Sequence, residues 1–367
     1  MSSRDVVFHR ADERWTASMS LFGAAVWCGF AVLAGVHRVH LGIIELLFLL
    51  APLVIVPLGL ELAHSLDEKD IVPLPTRRGI QVVATVAACV SMTILPGRTA
   101  ALLALIWFLQ CAVLTYSRLG HRHKNCPISS RIAELAFVDL LLGAAWLVLS
   151  RASWRPVGLQ EPIILLTAVH FHYSGFATAL LASATLRSFE TRGTDARSLR
   201  LLLVTIVLLS FAVAVGFVFS PLLRFAAAVA LSLGVTAMAI VWLRLSRNFE
   251  NVHARFFLRF AACAVVVALS LSSVYAASEY FGKGWITVPR MANPHGVLNG
   301  LGFVLTGLLA WLTEGVPARN PRKEPETEFR PQAARQASLP TNGNRKRPAP
   351  ASPSRLPEFV AREFYDR

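Results

Sequence analysis

Apolar positions in this chain gather into long runs, and the runs rather than any catalytic motif dominate its pattern. Ten mostly apolar stretches lie near 17–36, 41–63, 79–97, 99–116, 132–150, 162–186, 199–218, 221–243, 256–276 and 294–312, separated by short polar connections. A helix needs about 20 such residues to cross a hydrocarbon core about 30 Å thick, and only structures that satisfy their own backbone can cross it. Each run therefore predicts one membrane-spanning helix. The expected fold class is all-α, a polytopic transmembrane helix bundle of about ten spans.

Composition agrees with the pattern. Of 367 residues, 54% are hydrophobic and 16% charged, with a mean hydropathy of +0.53, well outside the range of a soluble domain. The first run follows a segment carrying Asp5, Asp12 and Glu13 and has no small-x-small cleavage site before His37, so it reads as a retained span rather than a secretory signal. Three regions result: a cytoplasmic N-terminal segment, 1–16; a transmembrane domain, 17–316; and a basic, Pro-rich tail, 317–367. The tail is too poor in aliphatics to offset its ordering entropy and is expected to be disordered. The cysteines, Cys28, Cys89, Cys111, Cys126 and Cys263, are scattered and form no C-x-x-C, which argues against a disulfide framework or thiolate site.

Charge orients the bundle. Eighteen of the 36 Lys and Arg residues fall in the N-terminal segment and in alternate connections, seven in the opposite connections, and eleven in the tail. Basic residues in short loops resist translocation, so the richer side and both termini are expected to be cytoplasmic. The net charge of +14 follows mostly from this topology, and no nucleic-acid motif accompanies it. Partners expected are the lipid bilayer and anionic headgroups, met by the basic loops and by Arg345-Lys346-Arg347, although solvated charge explains that cluster as well.

Polar groups inside the runs are the candidate chemistry, because a buried charge or imidazole in a membrane costs free energy unless it is partnered. The segment His170-Phe171-His172-Tyr173-Ser174-Gly175-Phe176 lies near the middle of the sixth run. At about 1.5 Å of rise per residue, His170 and His172 sit about 12–15 Å deep, and Asp139 of the antiparallel fifth run sits about 12 Å deep from the other side. Axially, a pair is possible. Residues two apart on a helix differ by about 200°, so the two histidines cannot face one ligand unless the helix unwinds, which Gly175 makes easier. Helix packing, proton or ion handling, and a haem or fixed metal centre all remain open for this cluster.

A second constellation runs from Asn293 to Phe303. Asn293-Pro294 reads as a helix start, with His295 in its first turn and Asn299 on the same face. Gly296, Gly300 and Gly302 supply small surfaces for close helix packing, as does Gly175. His295 and Asn299 fit an interhelical hydrogen bond or a functional site equally. Glu45 lies about 6 Å inside the second run, which Pro52 and Pro57 are expected to kink, freeing carbonyls that a neighbour must satisfy. With Glu45 and Asp139, the histidines could line a polar cavity open to the outside. Imidazole and oxygen donors suit haem iron or several divalent metals, but no fixed spacing selects one, so no cofactor is predicted.

The HFHYSGF segment and the PRMANPHGVLNGLGFVLTGLLAW segment resemble the YndJ-like family of bacterial integral membrane proteins. The resemblance implies a multi-span protein of the bacterial inner membrane, loosely described as transporter-like, with no established reaction or catalytic residues. Its recurrent segments correspond to His170, His172, Tyr173, Gly175, Phe176, His295, Gly296, Asn299 and Gly302.

No Walker loop, H-E-x-x-H, G-x-S-x-G or C-x-x-C-H motif is present, which argues against an ATP-driven pump or a soluble-type enzyme. Ten spans could form two inverted five-span halves joined near 151–161. The favoured reading is a transporter-like or permease-like protein in which Asp139, His170, His172, Tyr173, His295, Asn299 and Glu45 handle a proton, an ion or a small solute. A membrane-embedded redox or lipid-modifying enzyme with histidine-bound haem or metal is the alternative, and an accessory or assembly protein is the third.

Overall fold

Every apolar run is helical in the computed structural model, which describes residues 3–66, 74–120 and 126–317. In chain order the helices are α1 (Ser3–Gly35), α2 (Ile43–Leu50, Ala51–Ile55 and Val56–Leu66), α3 (Leu74–Thr93), α4 (Arg98–Leu119) and α5 (Ile128–Arg151). They continue with α6 (Ile163–His170, Phe171–Ala177 and Thr178–Glu190), α7 (Arg197–Phe219), α8 (Pro221–Leu245), α9 (Val252–Tyr280) and α10 (Val288–Val297, Leu298–Leu305 and Thr306–Glu314). Among the described residues nine of these are long and apolar enough to cross a membrane, and α3 has a shorter apolar helix, Arg78–Thr93. The all-α reading therefore holds, with no strand among the described residues. The expected tail lies outside the described residues from 318 onward, as do the connections 67–73 and 121–125.

Polar side chains close the helix ends. Asn251 Oδ1 accepts from His253 N at 2.9 Å and Ala254 N at 3.3 Å, and Glu314 accepts from Glu250 N at 2.8 Å and Asn251 N at 3.1 Å. Together they satisfy four amides at the start of α9 that have no intrahelical partner. Ser220 caps α8 through Leu223 N at 3.3 Å. One boundary differs from expectation. α10 begins at Val288, with Thr287 extended before it, and Pro294 lies inside the helix rather than in its first turn. Asn293-Pro294 has the composition of a start, but the helix has already formed one and a half turns by then.

Sequential helices pack as neighbours through α3, α4, α5 and α6 and again through α7, α8, α9 and α10. Between these two flanks, α2, α6 and α10 pack on one another. These three helices share a feature that the others lack. Each contains a π-helical segment at mid-length: Ala51–Ile55 in α2, Phe171–Ala177 in α6 and Leu298–Leu305 in α10. The π segment of α6 touches both of the others, so the widened turns meet at the centre of the bundle. They recur every four helices, not every five as two equal halves would require.

Candidate functional site

The widened turn in α2 has a visible cause. Pro52 has no N–H to donate to Phe48 O, four residues back; the Ala51 amide donates there instead, which takes from Leu47 O the backbone partner that an α-helix would give it. The Tyr173 hydroxyl of α6 donates to Leu47 O at 2.8 Å and replaces it. Trp27 Nε1 donates to Leu46 O at 2.7 Å, and Thr85 Oγ1 donates to Pro52 O at 3.2 Å. A broken ladder in lipid survives only where neighbouring groups re-satisfy it, and three neighbouring helices do so here.

The widened turn in α6 carries the HFHYSGF segment, and its two histidines point to opposite sides, as the spacing predicts. His172 is fully buried. Its Nδ1 lies 2.8 Å from Ala168 O and must donate there, so Nε2 is the acceptor for Trp107 Nε1 at 3.2 Å. Phe48 meets the ring edge-on at 5.3 Å, and Trp107 stacks on it at 6.1 Å. Both nitrogens are thus occupied, and His172 is a satisfied core residue. His170 faces α7 instead, with Nε2 donating to Ser210 O at 3.0 Å. Ser210 Oγ donates to Ser174 O at 3.0 Å and meets Ser174 Oγ at the same distance. The lone pair of His170 Nδ1 remains.

In α10, His295 Nδ1 donates to Ala268 O of α9 at 2.8 Å. Asn299 Nδ2 then donates to His295 Nε2 at 3.1 Å and to His295 O at 3.1 Å, leaving its own carbonyl oxygen as a free acceptor. Gly296 and Gly300 lie against Leu47, and a Cβ at Gly300 would also sit 3.3 Å from the Tyr173 ring. A Cβ at Gly302 would lie 2.7 Å from that of Ala264. These glycines let α10 approach α2, α6 and α9 closely.

A cavity of about 270 Å³ opens where these groups meet, walled by α2, α6, α7, α8, α9 and α10. Of the residues picked from sequence, His170, Tyr173, His295, Gly296 and Asn299 line it, together with Ser174; Asp139, His172 and Glu45 do not. Glu45 caps its own helix, accepting from Gly42 N at 3.0 Å. Asp139 makes no hydrogen bond to either histidine; it packs on Gly175, where a Cβ would fall 2.6 Å from the aspartate Cβ and Cγ. Among the described residues, no three His, Cys, Asp or Glu side chains converge to hold a metal, and the paired-histidine arrangement is not assembled at His170 and His172.

Sequence reasoning missed the other polar groups of the cavity. Arg224 Nη2 meets Glu279 Oε1 at 2.7 Å between α8 and α9, with the Arg224 guanidinium 4.9 Å from the Phe217 ring centre. Both charges lie near helix ends, where a loop position explains them as well, and only their mutual contact marks them.

The family model of YndJ-like proteins matches residues 46–303. The uncharacterized membrane protein YndJ of Bacillus subtilis (strain 168) is 26% identical over 216 residues, which is 58% of this chain and 38% of that protein. The chain thus matches well under half of the relative's length. No solved structure matches it. The matched interval contains all of the widened turns except the last two residues of the third. A multi-pass helical bundle matched over most of its transmembrane length in this way belongs to the YndJ-like family of membrane proteins.

Proposed function

We propose that the chain is a permease-like protein that binds a small amphipathic solute in the central cavity. The carrying observation is that three helices interrupted at mid-length wall one cavity. Interrupted helices at the middle of a bundle are how many membrane carriers expose polar groups to a solute, and π turns gather at functional sites. The walls are mostly apolar, from Ile44, Leu47, Val213 and Phe303 among others. At the widened turns the unpaired groups are acceptors, the His170 Nδ1 lone pair and the Asn299 carbonyl oxygen. Such a site favours a solute with an apolar body and a hydrogen-bond donor, such as an alcohol or an amine. Glu279 and Arg224, already paired, offer a second polar station toward the ends of α8 and α9.

Binding is testable with simple alkanols and alkylamines. They should raise the melting temperature of the purified protein saturably, because a ligand of the folded state stabilises it by mass action. Asn299→Leu or His170→Phe should each weaken binding about 2–10-fold, the worth of one hydrogen bond of about 0.5–1.5 kcal/mol. Exchange of labelled probe across proteoliposomes should follow the same order. Equal shifts in wild type and in both variants would place the probes elsewhere and overturn the site.

A further inference from the structure

Asp139 stands apart from the cavity. It lies on the face of α5 that packs against α6, and its residue is 0% exposed. Neither carboxyl oxygen has a hydrogen-bond partner. The surrounding packing is close: Gly175 of the widened turn lies against the carboxyl, and one turn along α5 a Cβ at Gly143 would sit 2.6 Å from His172 Nδ1. The buried titratable side chains on the elements packed against α5 are Glu61 of α2, Cys111 of α4, and His172, Tyr173 and Arg187 of α6, the last donating to Leu66 O at 2.8 Å and to Ser130 Oγ at 3.1 Å. The hydrogen bonds of His172 and Tyr173 run elsewhere, and no charged group bears on Asp139.

An isolated carboxylate in such a place is prohibitively costly, so a cation must accompany it. Calcium needs six to eight oxygen ligands and magnesium a near-octahedral set, whereas Asp139 brings two oxygens of one carboxyl and no further donor within hydrogen-bond reach. A proton needs one ligand. We propose that Asp139 is an intramembrane proton-binding site, holding a proton on one carboxyl oxygen while the widened turn of α6 is packed over it. Exchange of that proton with water requires the Gly175 face of the turn to lift from α5. The widened turn thus presents His170 and Ser174 to the cavity on one side and Gly175 to the carboxyl on the other. This site does not depend on what the cavity binds.

Infrared spectroscopy reads it directly. Asp139 is the sole aspartate of the chain inside an apolar run, since Asp5, Asp12, Asp67, Asp70, Asp195 and Asp366 all lie outside them. Full-length protein in lipid at neutral pH, where an ordinary aspartate of pKa about 3.9 is ionised, should show a carboxylic-acid carbonyl band that shifts when aspartate carries carbon-13 in its carboxyl. Asp139→Asn, which keeps shape without a titrating group, should remove that band. The isotope shift is read on wild-type protein, so the result stands even where the variant fails to fold. Aspartate-sensitive intensity confined to carboxylate bands would overturn the proposal, as would an acid band that survives Asp139→Asn. Either result leaves the solute-binding measurement untouched.

Discussion

His172 shows what a buried polar group requires in this bundle: a donor or acceptor aimed at each nitrogen. Trp107→Phe would remove the donor to Nε2 and leave an unpaired acceptor with no water, a loss of about 1–3 kcal/mol. The melting temperature should fall accordingly. His172→Phe in the Trp107→Phe background should recover part of it, because removing both partners of a buried hydrogen bond costs less than removing one. Gly175→Ala should cost about 1–3 kcal/mol by overpacking, since its Cβ would fall 2.6 Å from two Asp139 carbons in a seam where neither helix has room to give. At this scale the axial level of a side chain and the opposed directions of His170 and His172 were legible, and the partners each one faces were not. Rise per residue placed Asp139 level with the widened turn, and it does meet Gly175; the partners of each side chain depend on helix rotation, which a π turn alters. Glu45 follows a local signal instead: three residues after Gly42 at a helix start, it accepts from the Gly42 amide at 3.0 Å in a capping pattern.

The widened turns connect elements that are far apart in sequence. Pro52 in the second run was legible as a break, and the chain's answer, a tyrosine 126 positions beyond the freed carbonyl of Leu47, was not. The two residues should be coupled. Tyr173→Phe leaves Leu47 O unpaired in lipid and should lower stability by about 1–3 kcal/mol. Pro52→Ala restores an N–H for Phe48 O and so releases the Ala51 amide to Leu47 O, and the same tyrosine change should cost less in that background. The coupling expected from a double-mutant cycle is about 0.5–3 kcal/mol, read from unfolding of the four proteins in detergent. Strict additivity would mean that the tyrosine does not stand in for the missing backbone donor. Helix starts show the same contrast between local and distant signals. Asn251 both looks like and serves as a cap, whereas Asn293-Pro294 looks like one inside a helix already begun at Val288.

At the scale of the whole molecule, the number of crossings rests on α3, whose apolar helix, Arg78–Thr93, is shorter than the rest. Its polar residues argue for insertion rather than against it. Gln81 is buried, pairing with Gln110 of α4, while its amide lies 3.2 Å from Thr85 Oγ1, which in turn holds Pro52 O of α2. A helix lying on the membrane surface would leave the carbonyl of α2 and the amide of α4 unpaired in lipid, so these bonds tie α3 to its neighbours within the bilayer. If α3 crosses, the connections at His40 and Leu95 share one face, and Trp154 joins them, while Thr194 lies on the other. The distribution of Lys and Arg predicts that the first face is the outer one. Single cysteines at these four positions, in a chain with its native cysteines replaced, should therefore divide three to one. His40→Cys, Leu95→Cys and Trp154→Cys should react with an impermeant maleimide on intact cells, and Thr194→Cys only after permeabilisation. An α3 that stays on one side would carry Leu95 and Trp154 to the face opposite His40, so labelling of His40→Cys without Leu95→Cys would remove one crossing from the bundle.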